Sequence, residues 1–288
     1  MLTKLLPPFV KRTIEDHVRR IADATGWKPY FQSHANLNDY CIKPKENSAA
    51  PHVNIGLPVP PEELMKGYGP AEPYLTSGKQ HVANLVRILE ESGFSIRRAK
   101  RILEFGCAAG RMIRHLPDVA QRAELWGVDV SAEHIRWCIE NLTPTIHFAT
   151  TTLIPHLPFE DRFFDLIFCG SLFTHIEDLQ ETWLLELGRV LCSSGKLYLT
   201  IHDEHTVRLL DTKHKEHLLS KALHAEPIYT ANKAKFDMIV VGRGPNSQVF
   251  YSSACFRSTC PPIFRWISLT HEAYGYQSAV LLERLPID

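Results

Sequence analysis

The sequence predicts an α/β protein whose sheet is mostly parallel and covered by helices on both faces. Three observations lead there. Apolar runs of strand length alternate with amphipathic helical runs from about residue 79 to 202. One such strand ends in a turn of small residues at 101–111. The next strand closes on an aspartate, Asp129. Parallel strands need a crossover before they can pair, so alternation of strand and helix is the mark of such a sheet.

Taken in order, residues 79–92 (KQHVANLVRILEES) have the spacing of an amphipathic helix. RRAKRILEFG is a strand ending in glycine, and GRMIRHL a helix. ELWGVDV is a strand, and SAEHIRWCIENL a helix with Ser131 as its N-cap. TIHFAT and the apolar FFDLIFCG are strands, LQETWLLELGRVL is a helix, and KLYLTIH is a strand closing on His202. There the alternation breaks. Residues 204–236 read as polar, histidine-rich helix, and 237–242 and 247–253 as strands about a turn, so 204–246 is an insertion. FRWISLTHEA and YQSAVLLERL predict a terminal antiparallel hairpin. At the other end, Val10, Ile14, Val18 and Ile21 share one helical face. An irregular stretch rich in proline and aromatics then runs to about residue 75. The expected division is an N-terminal cap over 1–75 and one domain over 76–288.

Lys plus Arg and Asp plus Glu both number 32, so the net charge is zero. Proteins that grip phosphate backbones carry a basic surplus, so a small-molecule partner is expected and a nucleic acid is not. Seven cysteines form no CxxC pair and fifteen histidines no HExxH, which points to reduced thiols in a cytoplasmic protein without a metal. No run approaches the roughly 20 apolar residues of a membrane span.

RILEFGCAAGR carries the chemistry. A parallel strand delivers its end to the sheet edge where open α/β sheets bind ligands, and Gly106, Ala108 and Gly110 let backbone come close to one. Asp129, ending the next strand, is placed to accept both hydroxyls of a ribose. The two signals together imply an adenosine-containing ligand. A nicotinamide dinucleotide is opposed by Arg111, which stands where the third glycine of GxGxxG is needed.

An acidic residue, Glu104, two positions before that first glycine resembles the first motif of the class I S-adenosylmethionine-dependent methyltransferases. Residues 156–204 (HLPFEDRFFDLIFCGSLFTHIEDLQETWLLELGRVLCSSGKLYLTIHDE) are similar to the family's later motifs. They resemble in particular a bacterial subgroup with an FTH segment after strand four. The resemblance spans about 75–202, and GYQSAVLLERL resembles the family's last strand. It implies a Rossmann-like seven-stranded sheet, S-adenosylmethionine as cofactor, and methyl transfer to O or N of a small molecule. It also implies cofactor contacts at Glu104, Gly106, Cys107, Ala108, Gly110, Arg111, Asp129, Val130, Thr151 and Thr152, and at the backbone of Cys169 and Gly170. The chain departs from the family pattern at Cys107–Ala108–Ala109, where glycine is common, and at the turn CSSGK. It departs again at Thr150–Thr151–Thr152, where an acid or amide is common.

His175 follows strand four and His202 ends strand five, so both are expected at the catalytic edge as general base. His202 is favoured because Asp203 and Glu204 follow it and can orient an imidazole. One alternative is a macromolecular (protein or RNA) methyltransferase, opposed for RNA by Cys169–Gly170–Ser171–Leu172 in place of an (N/D)PP(Y/F) motif. The other is a non-catalytic S-adenosylmethionine-binding subunit.

Overall fold

The computed structural model describes residues 57–65, 68–142, 145–232, 235–242 and 247–286. The helical face of Val10, Ile14, Val18 and Ile21 and most of the expected cap lie outside them. In chain order the elements are α1 (Ala71–Glu91), β1 (Arg101–Phe105), α2 (Pro117–Ala120), β2 (Glu124–Asp129), α3 (Ala132–Asn141) and β3 (Ile146–Thr150). There follow β4 (Phe164–Cys169), α4 (Gln180–Val190), β5 (Leu191–Ile201), α5 (Glu204–Asp211), α6 (Leu218–Ala225) and α7 (Pro227–Asn232). The last are β6 (Met238–Val241), β7 (Gln248–Tyr251), α8 (Ser253–Ser258), β8 (Phe264–Tyr274) and β9 (Gln277–Arg284).

Seven strands form one sheet in the order β3-β2-β1-β4-β5-β9-β8. The pairs from β3 to β5 are parallel, and β9 runs antiparallel to both β5 and β8. This is the Rossmann-like α/β sheet that was expected, with its terminal hairpin. The strand order turns around between β1 and β4, so the crossovers diverge there and leave a crevice beyond the strands' carboxyl ends.

Buried residues of α1 (Val82, Leu85, Ile88, Leu89) and α3 (Ile135, Cys138) cover one face of the sheet. Trp183, Leu184, Leu187 and Val190 of α4 cover the other. β1 and β4 are sealed on both sides, which is why RILEF and FDLIFC read as nearly unbroken apolar runs. Ser131 caps α3 as expected, its side chain accepting from the His134 N–H.

Two local expectations are corrected. GRMIRHL forms no α-helix: it holds one 3-10 turn, Ile113–His115, before the four-residue α2. Pro117 is the reason, because it has no N–H to donate to an upstream carbonyl and disfavours helical backbone at Leu116, whose ψ is 38°. The CSSG turn is a bulge within β5. The β4–β5 pairing passes from Phe164↔Leu191 to Leu166↔Lys196, with Ser194 in the left-handed region.

The insertion has a small core of its own, including Leu210, Leu223, Tyr229, Ile239 and Phe250. Its β6–β7 hairpin docks on the carboxyl edge of the sheet: Val249 N–H donates to Thr174 O and Tyr251 N–H to His202 O, both at 2.8 Å.

The loop before β4 is held by Glu186 of α4. Its buried carboxylate takes the Leu157 N–H and pairs with Arg189, which also donates to the carbonyls of Leu157 and Phe159. Glu186→Ala leaves the Leu157 N–H unmet and removes one of Arg189's two carboxylate partners, Asp161 remaining at 2.7 Å. It should lower the unfolding free energy by about 1–3 kcal/mol in urea titrations.

Candidate active site

Beyond β1 the chain turns tightly. Gly106, Ala108 and Gly110 have φ of 80°, 45° and 71°. Gly106 and Cys107 N–H both donate to Val128 O, at 2.8 and 3.0 Å, which folds the turn back over β2. Asp129 then clamps it. One carboxylate oxygen takes the Ala108 N–H and the other the Ser131 N–H, both at 2.8 Å. Glu104 is buried beneath, and its Oε2 accepts the Ile113 N–H at 2.9 Å. Burial pushes its pKa up to about 8, against the lowering pull of that bond and of Arg111. In this structure Glu104 braces the loop.

A cleft of about 600 Å³ opens at the switch point. Phe105, Gly106, Asp129 and Val130 line it from the ends of β1 and β2, and Thr151, Thr152 and Leu153 from the segment after β3. Leu172, His175, Ile176 and Trp183 form the opposite wall, and Ser247, between the insertion and β7, reaches it. The slot therefore joins apolar walls to three carboxylates, Asp129 on one side and Glu177 and Asp178 on the other, and a few hydroxyl and backbone groups. That donor set suits a nucleoside: flat apolar surface for a base, and a carboxylate for vicinal hydroxyls.

The turn after β4 is set by a closed ring of hydrogen bonds. Ser171, at φ 57°, donates its N–H to Thr200 Oγ1 (2.7 Å), and Thr200 Oγ1 donates to Gln277 Oε1 (2.6 Å). Gln277 Nε2 donates to Ser171 Oγ (2.8 Å). Leu172 is thereby seated against Gly106, where an added Cβ would lie 3.0 Å from its Cδ2. His175 is exposed on the cleft wall, and its Nδ1 lies 2.8 Å from Ser247 O, with the Gln248 amide at 3.2 Å. Desolvation by the neighbouring chain lowers its pKa below the ordinary histidine value.

The expected site residues divide. Gly106, Asp129, Val130, Thr151, Thr152 and His175 line the cleft. Glu104, Cys107, Ala108, Gly110, Arg111, Cys169 and Gly170 do not, and they support it from behind. Gly110 gives no room to a ligand: an added Cβ would lie 2.5 Å from Leu142 Cδ1, so its smallness serves packing against the end of α3. Cys169 is fully buried, its thiol turned to Tyr198 O, and Gly170 lies under the Tyr274 ring.

His202 is corrected as the favoured base. It is 1% exposed, walled by Phe250 and Tyr276, and absent from the cleft. Burial draws its pKa down to about 3, and neither ring nitrogen makes a hydrogen bond of proper geometry. The carboxylates expected to orient it turn elsewhere. Asp203 caps α5 and faces His271 Nδ1 at 3.2 Å, and Glu204 takes the Ser253 N–H at 2.9 Å. Tyr251 is buried, with its hydroxyl on Ile176 O.

Phe105, Leu172, Trp183 and Ser247 complete the cleft without a motif to signal them. Trp183 in particular has the spacing of an ordinary core residue of α4. Among the described residues no group of three or more His, Cys, Asp or Glu is placed to hold a metal, and no helix is long and apolar enough to cross a membrane.

Residues 103–199 match the family model of a methyltransferase domain. Among solved structures, a Pyrococcus horikoshii protein is similar at 17% identity, with 74% of this chain and 92% of that one covered and a TM-score of 0.51. A putative S-adenosylmethionine-dependent methyltransferase from Listeria monocytogenes is similar at 12% identity, covering 71% and 99%, with a TM-score of 0.50. These structures share the fold. The matched residues 103–199 run from β1 to β5 and include the loop and the carboxylate at the cleft's edge.

Gly110→Ala should cost about 3 kcal/mol, from left-handed backbone plus overlap with Leu142. A thermal melt without ligand should already show the loss; an unchanged melt would return Gly110 to the ligand side.

Proposed function

We propose that this protein is an S-adenosylmethionine-dependent methyltransferase that methylates an oxygen or nitrogen of a small-molecule acceptor, with His175 as general base. The observation that carries this is the anchoring of His175 on the cleft wall. Its Nδ1 sits 2.8 Å from the Ser247 carbonyl, which can only accept; this contact, shorter than that to the Gln248 amide nitrogen at 3.2 Å, favours the hydrogen on Nδ1 and leaves Nε2 as the basic atom. Nε2 makes no hydrogen bond among the described residues and is free to take a proton.

When bound, the cofactor supplies a methyl group already activated on a sulfonium. The protein's task is then to orient, to exclude water and to accept a proton. Asp129 is assigned to the ribose hydroxyls and Gly106 to close backbone approach. Val130, Thr151 and Thr152 are assigned to the adenine edge, and Phe105, Leu172 and Trp183 to its apolar walls. Glu104, Cys107, Ala108 and Gly110 hold the loop in shape. A cleft of about 600 Å³ suits a small ligand, and Glu177 and Asp178 on its lining oppose a phosphate backbone.

Residues 1–75 and 204–246 are assigned as covers of this edge. In support, Arg114 Nη2 donates to Leu57 O at 2.9 Å, His134 Nε2 lies 3.3 Å from Leu64 O, and Ser247, directly after the second segment, lines the cleft. The cysteines free among the described residues accord with a cytoplasmic setting.

Asp129→Ala should weaken cofactor binding by about 1–3 kcal/mol in calorimetry, through loss of charge-assisted hydrogen bonds. His175→Ala should lower turnover by roughly 10²–10⁴-fold with cofactor affinity nearly unchanged. Because burial lowers the His175 pKa, wild-type turnover should stay level down to neutral pH. It should fall only on acidification below the ordinary histidine range near 6.5. The acceptor is sought by incubating the protein and methyl-deuterated cofactor with separated metabolite, RNA and protein fractions. Label confined to RNA or protein would overturn the small-molecule reading.

A further inference from the structure

The β6–β7 hairpin is seated on the ends of β4 and β5 by two backbone bonds, and one of them ends on His202. Val249 N–H donates to Thr174 O and Tyr251 N–H to His202 O, both at 2.8 Å. His202 and Phe250 form an isolated parallel bridge across the same seam. The imidazole of His202 lies in that seam, 4.8 Å from the Phe250 ring and 5.7 Å from that of Tyr276, centre to centre. Thr174, which receives the other bond, is followed directly by His175 on the cleft wall.

An aromatic or aliphatic side chain would fill this seam without loss. Histidine brings two ring nitrogens that need partners, and neither has one among the described residues. Sealing a polar group without a hydrogen bond weakens the docking, and sealing a charged one weakens it far more. The seam therefore accepts the neutral ring only.

Nothing around the ring compensates a positive charge. His175, on the turn after β4, and His217, at the start of α6, face it with fields that oppose its protonation, and the Val249 carbonyl alone pulls the other way. Tyr276, on the turn between β8 and β9, has a phenol that burial keeps protonated, and the rings of His214 and His217 lie on it at 5.9 and 5.4 Å. The neighbouring carboxylates are engaged elsewhere. Asp203 takes Thr206 N–H and faces His271, and Glu204 takes Ser253 N–H. Burial accordingly draws the His202 pKa down to about 3.

We propose that His202 is an acid-sensitive latch for the β6–β7 hairpin: a proton from solvent, once on its imidazole, expels the ring from the seam and undocks the hairpin. Undocking parts Val249 from Thr174 and Ser247 from His175, so it takes apart one wall of the cleft. The direction follows from the lowered value. Docking is at full strength above the ordinary histidine value near 6.5 and is lost progressively as pH falls from there towards about 3. Within that window each pH unit raises the open-to-docked ratio about tenfold.

The test is amide hydrogen exchange at Val249 and Tyr251 on the full chain without ligand, corrected for the intrinsic pH dependence of exchange. His202→Phe is compared with wild type, since phenylalanine suits a seam of aromatic rings and cannot take a charge. His175 and His217 titrate in both proteins, so the ratio of their opening constants isolates His202. That ratio should grow about 20-fold between about pH 7 and pH 5, while amides of β1 stay protected. His202→Leu, equally unable to take a charge, serves if the phenylalanine variant does not fold. Opening of the wild-type hairpin that ignores pH would overturn the latch. The same acid dependence in wild type and variant would also overturn it, assigning the effect to His175 or His217. Acid exposure of β1 in step with the hairpin would do so as well, as global unfolding. The readout needs no ligand, so it stands apart from the assignment of the cleft.

Discussion

The carboxylate of Asp129 is the tie on which the catalytic edge depends. The turn after β1 holds three residues at positive φ, one of them alanine, and such a backbone persists only where its surroundings over-determine it. Asp129 supplies that constraint by joining Ala108 N–H, on one loop, to Ser131 N–H, at the start of α3. Its own backbone carbonyl holds Thr151 N–H, which brings the segment after β3 alongside. One residue thus registers three strand ends. It also lines the cleft, so the group that builds the edge is the group assigned to the ligand.

The opposite wall follows a similar rule with neutral groups. The ring of bonds through Ser171, Thr200 and Gln277 ties β4 to β5 and β9, strands far apart in sequence. Because all three are satisfied by one another, the left-handed Ser171 has a single arrangement, and Leu172 and His175 inherit it. The hairpin of the insertion completes the wall through Ser247. An irregular insertion can therefore set the tautomer of a histidine that belongs to the central domain.

The histidines show how burial sorts chemistry. His175, His202 and His81 all lie at or near this edge, yet only His175 lines the cleft. His202 and His81 are kept neutral by desolvation, one among aromatic rings and the other as an acceptor for a guanidinium. Equivalent residue types reach unlike roles because solvent access differs, and solvent access belongs to the packed molecule.

Much of this protein was legible in residue order. Periodicity identified the strands from 101 to 202, because parallel strands buried on both faces must be apolar throughout. Ser131, Gly106 and Asp129 were legible because cap, turn and strand-end roles depend on near neighbours. Some departures were local as well: Pro117 denied a helix to GRMIRHL, a conflict visible in the chain but outweighed there by its apolar spacing. The rest required contacts between distant segments. No spacing rule joins His175 to Ser247, Ser171 to Gln277, or Val249 to Thr174. Nor does position at a strand end distinguish His175, open to the cleft, from His202, sealed beneath Phe250. Sequence by itself determined the sheet, the small-residue turn after β1 and the carboxylate at the next strand's end, since each is a local consequence of side-chain size, backbone freedom or hydrogen-bonding capacity. Only the tertiary structure decided which histidine meets solvent and which is sealed without a partner, because burial and pairing are properties of segments brought together by folding.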